Sequence, residues 1–140
     1  MTRLYSHAAL LTLFAAAAPT AFAADLTVTV DGIANQNGAI VLGLFEAETY
    51  DGDCSVDAAA IVIEGPSVSV TFEGLTPGEY AVRLYHDVNG DGEFNTGAFG
   101  IPTEPYAFSN NAKGSFGPAK WKAAKFTLED ASATHTITLN

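Results

Sequence analysis

Cysteine is almost missing from this chain: Cys54 is the only one in 140 residues, so no intramolecular disulfide can form. Stability must therefore come from burial and hydrogen bonding within a core, for which the length is sufficient. Methionine and tryptophan each occur once, and no H-x-x-x-H pair, cysteine pair or methionine cluster is present, which removes the common zinc and copper frameworks. Positive charge is equally scarce. Six Lys and Arg stand against sixteen Asp and Glu, a net charge of −10, and a field of that sign repels nucleic acid and anionic lipid. The sequence has no G-x-S-x-G elbow, no Ser/His/Asp set and no phosphate-cradling glycine loop opening a helix. Past residue 23 it has neither a long apolar run nor an amphipathic helical pattern, so no membrane span is expected there.

The N-terminus differs from the rest. Arg3 precedes an apolar run over 8–18, and Ala21-Phe22-Ala23 follows, which is the order of a signal peptide with an A-x-A cleavage site. The run is too short to span a bilayer and ends at Pro19. Residues 1–23 are thus expected to be cleaved, leaving 24–140 as a single periplasmic or secreted domain. Arg3 leaves with the leader, so five basic residues face sixteen acidic ones and the mature charge is −11. Cys54, set among Asp51, Asp53 and Asp57, reads as a tolerated loop cysteine rather than a nucleophile.

Apolar residues in the mature chain recur with period two in short runs. Leu26, Val28 and Val30 alternate with Thr27, Thr29 and Asp31, a strand with one buried face. Asn37-Gly38 predicts a hairpin leading into a strand over 39–45, and the acidic stretch 46–57 predicts a surface loop. Further strands are expected at 61–63 and 68–72, separated by Gly65-Pro66. Pro77-Gly78 fits a type II turn that launches a strand over 80–86, with Tyr80 placed like the tyrosine corner of a sandwich domain. A long loop from about 87 to 120 follows, then strands at 125–128 and 134–139. About seven strands at this spacing predict an all-β, immunoglobulin-like or transthyretin-like two-layer β-sandwich. A loop of that length inside a compact domain needs compensation for its ordering entropy, which directs attention to it as a functional or liganded segment.

Within that loop, counting Asp87 as position 1 places oxygen-bearing side chains at 1, 3, 5 and 9, which are Asp87, Asn89, Asp91 and Asn95. Gly92 stands at position 6, where an EF-hand-like loop turns sharply, and Glu93 at 7 would offer its carbonyl. This spacing suits calcium. Position 12 is Ala98 rather than a bidentate glutamate, so the pattern is not an EF-hand, and the missing ligand would be water or Glu104. A second cluster, Tyr106, Phe108, Asn110, Asn111 and Trp121, interleaves rings with amides, as a peptide- or glycan-binding surface does. Alternatively, Glu93, Glu104 or His86 would serve a small hydrolase of envelope glycans. A third reading is a scaffold or adhesion-like module with no small ligand.

The runs Gly78-Glu79-Tyr80-Ala81-Val82, His86-Asp87-Val88-Asn89-Gly90-Asp91-Gly92, Phe99-Gly100-Ile101-Pro102-Thr103-Glu104-Pro105-Tyr106, Phe108-Ser109-Asn110-Asn111 and Phe116-Gly117-Pro118 appear in order. In them the chain resembles DUF2141, a family of bacterial exported proteins of unknown function. The resemblance implies an exported, sandwich-like single domain and supplies no substrate and no catalytic residue. The family usually has aspartate where this chain has Asn95 and glycine where it has Ala107.

Overall fold

The computed structural model describes residues 22–139, so the expected leader lies outside them except for Phe22 and Ala23. Eight strands occur among the described residues: β1 (Ala24–Asp31), β2 (Ala39–Phe45), β3 (Asp57–Val62), β4 (Val68–Leu75), β5 (Gly78–Asp87), β6 (Tyr106–Phe108), β7 (Phe126–Leu128) and β8 (Ala133–Thr138). One helical turn, α1 (Trp121–Ala124), precedes β7. The strands form two sheets, one ordered β4-β1-β8 and the other β3-β2-β5-β6, with β7 pairing the opening residues of β5. The fold is the expected two-layer β-sandwich, with eight strands rather than about seven. No helix among the described residues is long and apolar enough to cross a membrane.

Alternation builds the core. In β1, Leu26, Val28 and Val30 point inward, while Thr27 and Thr29 bond across the outer face to Thr71 and Ser69. Ile40, Leu42 and Leu44 of β2 and Tyr80, Val82 and Leu84 of β5 meet them from the second sheet, with Phe72, Leu128 and Ile137 filling in. Each such side chain contributes roughly 1.5–3 kcal/mol when fully buried. The odd-numbered residues of β5, Arg83 and Tyr85 among them, lie on the outer face, as the alternation requires.

Several local expectations change. Asn37-Gly38 does not close a hairpin: β1 pairs with β4 and β8, β2 with β3 and β5, so this turn carries the chain from one sheet to the other. Gly38 is nevertheless required, because at φ +73° a Cβ would sit 1.8 Å from the Asp87 carbonyl oxygen. The strand expected at 61–63 starts earlier, at Asp57, where pairing with Leu44 recruits part of the acidic stretch. Pro77-Gly78 is not the expected type II turn, since the glycine with positive φ is Gly74 and Gly78 opens β5 in register with Leu128. The tyrosine corner is present: Tyr80 donates its hydroxyl to the Thr76 carbonyl at 2.7 Å.

The long segment after β5 does not hang free. It contributes β6 and then folds over the outer face of the larger sheet, where Phe45, Tyr50, Ala81, Phe108, Ala119 and Ala124 form a second apolar cluster with Trp121 against it. Tyr50 donates to the Ala119 carbonyl at 2.8 Å, and burial pushes its phenol up to about 12. Arg83 lies over the Phe45 ring and donates to the carbonyls of Tyr50 and Gly52, fixing the 46–52 loop to the sheet. Ser109, fully buried, accepts from Val82 N–H at 2.8 Å and donates to the Ala124 carbonyl at 2.6 Å, so one hydroxyl joins β5 to α1.

Candidate functional site

The 87–95 loop is built around two buried carboxylates. Asp87 accepts from Gly90 and Asp91 N–H through Oδ1, at 2.8 and 3.1 Å, and from Gly92 N–H through Oδ2 at 2.8 Å. That is an Asx-type closure, in which the side chain turns the backbone around itself. Glu104 reaches in from beyond the loop, with Oε1 accepting from Val88 N–H at 3.1 Å and Oε2 from Asn95 N–H at 3.0 Å. It therefore clamps both ends of the segment. Tyr85 donates its hydroxyl to the Gly92 carbonyl at 3.1 Å, and burial, then the Asp87 and Glu104 carboxylates, raise its pKa.

Three of the predicted metal ligands converge. Asp91 Oδ2 accepts from the Asn89 and Asn95 amides at 2.9 and 3.1 Å, and the Asn89 amide nitrogen also donates to Asn95 Oδ1 at 2.9 Å. The Asn89 NH₂ group thus lies between the Asp91 and Asn95 oxygens. Asp91 Oδ1 accepts from Glu93 N–H, which with the Asn95 amide holds the Asp91 carboxyl below the usual carboxylate range. Asp87 lies behind this group, its oxygens facing backbone N–H groups. Among the described residues no three His, Cys, Asp or Glu side chains cluster as a metal site.

His86 is buried on the inner face, and its Nε2 faces the Asn37 carbonyl at 2.7 Å, which makes that nitrogen the donor. Its ring thus ties the crossover turn at Asn37-Gly38 to β5. Glu104 is likewise engaged through both oxygens, whereas Glu93 is exposed.

A concave surface lies beside the loop, on the outer face of the larger sheet. Tyr85, Phe94, Tyr106 and Phe108 form a continuous row with ring centroids 5.2, 6.0 and 5.9 Å apart. On one side of this row is a recess of about 290 Å³ over β2 and β5, which Asp53, Ser55 and Arg83 also line. On the other is a cavity of about 460 Å³ bounded by Phe99, Ile101, Phe116 and Pro118. The 87–95 loop matters to both, because it positions Phe94 between them.

The expected ligand surface is divided by the tertiary structure. Tyr106 and Phe108 line both cavities. Asn110 instead donates its amide to the Ala123 and Lys125 carbonyls, at 3.1 and 2.8 Å, and Asn111 accepts from Thr138 N–H at 2.8 Å. Both asparagines have positive φ, 59° and 50°, a conformation their short polar side chains tolerate. They tie the chain after β6 to α1 and β8. Trp121 packs on Tyr50, centroids 5.5 Å apart, away from the aromatic row. His135 stacks on Phe126 and accepts from Asn110 N–H through Nε2 at 3.1 Å, and burial lowers its pKa. Sequence reasoning missed Tyr85, Phe94 and Asp53 as parts of the surface; the outward position of Tyr85 in β5 was a usable signal.

No curated protein and no solved structure matches the sequence. A family does, over residues 28–136, the greater part of the chain. On that match the chain belongs to the family described as an uncharacterized protein conserved in bacteria (DUF2141).

Proposed function

We propose that this protein is an exported, non-catalytic binding module that takes a glycan segment in the recess over β2 and β5. The observation that carries the reading is the lining of that recess. Tyr85, Phe94 and Tyr106 line it with aromatic rings, and Asp53 and Ser55 line it with polar groups. Sugar rings stack on aromatic faces through their C–H surface and bond carboxylates and hydroxyls through their own hydroxyls. A purely apolar peptide would use the rings but leave Asp53 without a partner.

The non-catalytic part rests on carboxylate placement. Glycoside hydrolysis generally uses two carboxyl groups across the scissile bond, and Asp53 is the single carboxylate lining this recess. Glu104 and His86 are engaged with the backbone. In this reading the 87–95 loop is structural, and calcium, held by Asn89, Asp91 and Asn95 with the Glu93 carbonyl, stiffens a loop whose hydrogen bonds already define its shape.

The test is a titration with N-acetylglucosamine oligosaccharides followed by amide NMR. Shifts confined to 41–43, 53–55, 83–85 and 106–108, lost in Tyr106→Ala and weakened in Asp53→Asn, are the expected result. Shifts with an extended peptide and none with the oligosaccharides would move the assignment to a peptide site.

A further inference from the structure

Two loops repeat one design. Gly97-Ala98-Phe99-Gly100-Ile101-Pro102 and Gly114-Ser115-Phe116-Gly117-Pro118 share the order Gly, small residue, Phe, Gly and a nearby Pro. In both, the phenylalanine takes a left-handed backbone, φ 60° at Phe99 and 57° at Phe116. That conformation is unfavourable for a bulky residue. Both rings are also fully exposed, and Ile101 beside them is 64% exposed. Strain and lost burial therefore coincide at the same two residues, and the rings project along the rim of one cavity.

From this pairing we infer that the Phe99 and Phe116 turns insert into the interface of a zwitterionic phospholipid bilayer. The charges around them select this occupant. No charged side chain lines the cavity between the tips. The lysines among the described residues, Lys113, Lys120, Lys122 and Lys125, all fall within 113–125, and the first two bracket the Phe116 turn. Lys125 pairs with Glu79, while Lys113, Lys120 and Lys122 are exposed. Ammonium groups that flank the Phe116 turn along the chain match the phosphate and acyl layers of a headgroup region. The net charge of −10 opposes a strongly anionic bilayer. A glycan would need several polar partners, and Tyr106 is the one polar side chain lining this cavity, whereas Asp53, Ser55 and Arg83 line the recess over β2 and β5. The two tips, Phe99 and Phe116, do not line that recess, although Phe94, Tyr106, Phe108 and Pro118 form a wall common to both.

The experiment uses the exported chain, with the expected leader 1–23 removed, carrying Phe116→Trp and mixed with phosphatidylcholine vesicles whose acyl chains are brominated. Relative to the unsubstituted chain, which reports only Trp121, the added fluorescence should shift to the blue and be quenched. Adding Phe99→Ser should weaken partitioning by about tenfold, since half of the apolar tip is gone. Anionic phosphatidylglycerol vesicles should bind less well at low salt. Trp emission that stays at its solvent wavelength and unquenched, or that shifts only with an apolar peptide, would overturn the inference. Because each probe is separate, oligosaccharide binding that survives in Phe99→Ser/Phe116→Ser leaves the recess reading intact whichever way the vesicle result falls.

Discussion

Replacing Glu104 with Gln removes one oxygen from the clamp on the 87–95 loop and changes nothing in size. The carboxylate is 7% exposed and accepts from Val88 and Asn95 N–H at 3.1 and 3.0 Å. A glutamine keeps one acceptor and turns an NH₂ group toward the other backbone donor. Losing a charge-assisted hydrogen bond costs about 1.5–3 kcal/mol, and the surviving bond weakens toward the neutral value of about 1 kcal/mol. The sum is about 2–4 kcal/mol, which in a domain of this size corresponds to a melting temperature lower by about 10 °C. Thermal unfolding of Glu104→Gln beside Glu93→Gln is the assay, since Glu93 is exposed and its substitution should leave the midpoint unchanged. Amide exchange would localise the loss to 88–95. If Glu104→Gln melts within about 2 °C of the parent, the clamp is not what orders the loop.

Ser109→Ala should cost about 2–4 kcal/mol, because Val82 N–H and the Ala124 carbonyl both lose their buried partner; a denaturation midpoint equal to the parent's would contradict this. His135 is neutral where it accepts from Asn110 N–H, and burial holds its pKa below that of the unfolded chain. The unfolded state therefore binds more protons, so stability is full above about pH 6.5 and falls as pH drops toward the lowered pKa. His135→Phe keeps the stack on Phe126 and should flatten that slope, measured as melting temperature against pH. Calcium at about 10 mM, acting on a site of about 1 mM affinity, should add about 1.4 kcal/mol to stability. An equal rise with magnesium, or none with either ion, would remove calcium from the 87–95 loop.

The second apolar cluster explains how so long a segment after β5 is held without a disulfide. Phe45, Ala81 and Phe108 face outward from the sheet, and Tyr50, Ala119 and Ala124 cover them. A sandwich normally leaves its outer faces polar, and here one face is partly re-covered. The uncovered remainder is the recess and the cavity on either side of the aromatic row, so the proposed site is the part of that face the segment leaves open.

Period-two alternation alone determined β1, β2, β5 and β8, because one-sided burial acts residue by residue and needs no knowledge of the partner strand. The spacing of Asp87, Asn89, Asp91 and Gly92 likewise determined a tight polar loop, since Asx closure is a local hydrogen bond. Tyr80 after the turn determined its own corner for the same reason. Which strands pair was decided only in three dimensions. Asn37-Gly38 supplies the same φ for a hairpin or a crossover, and the burial of Leu26, Val28 and Val30 against the other sheet selected the crossover. The fate of the polar and aromatic cluster was decided there too. Asn110 and Asn111 have the composition of a ligand surface, but the backbone donors and acceptors of α1 and β8 come within reach only after folding and take up their amides.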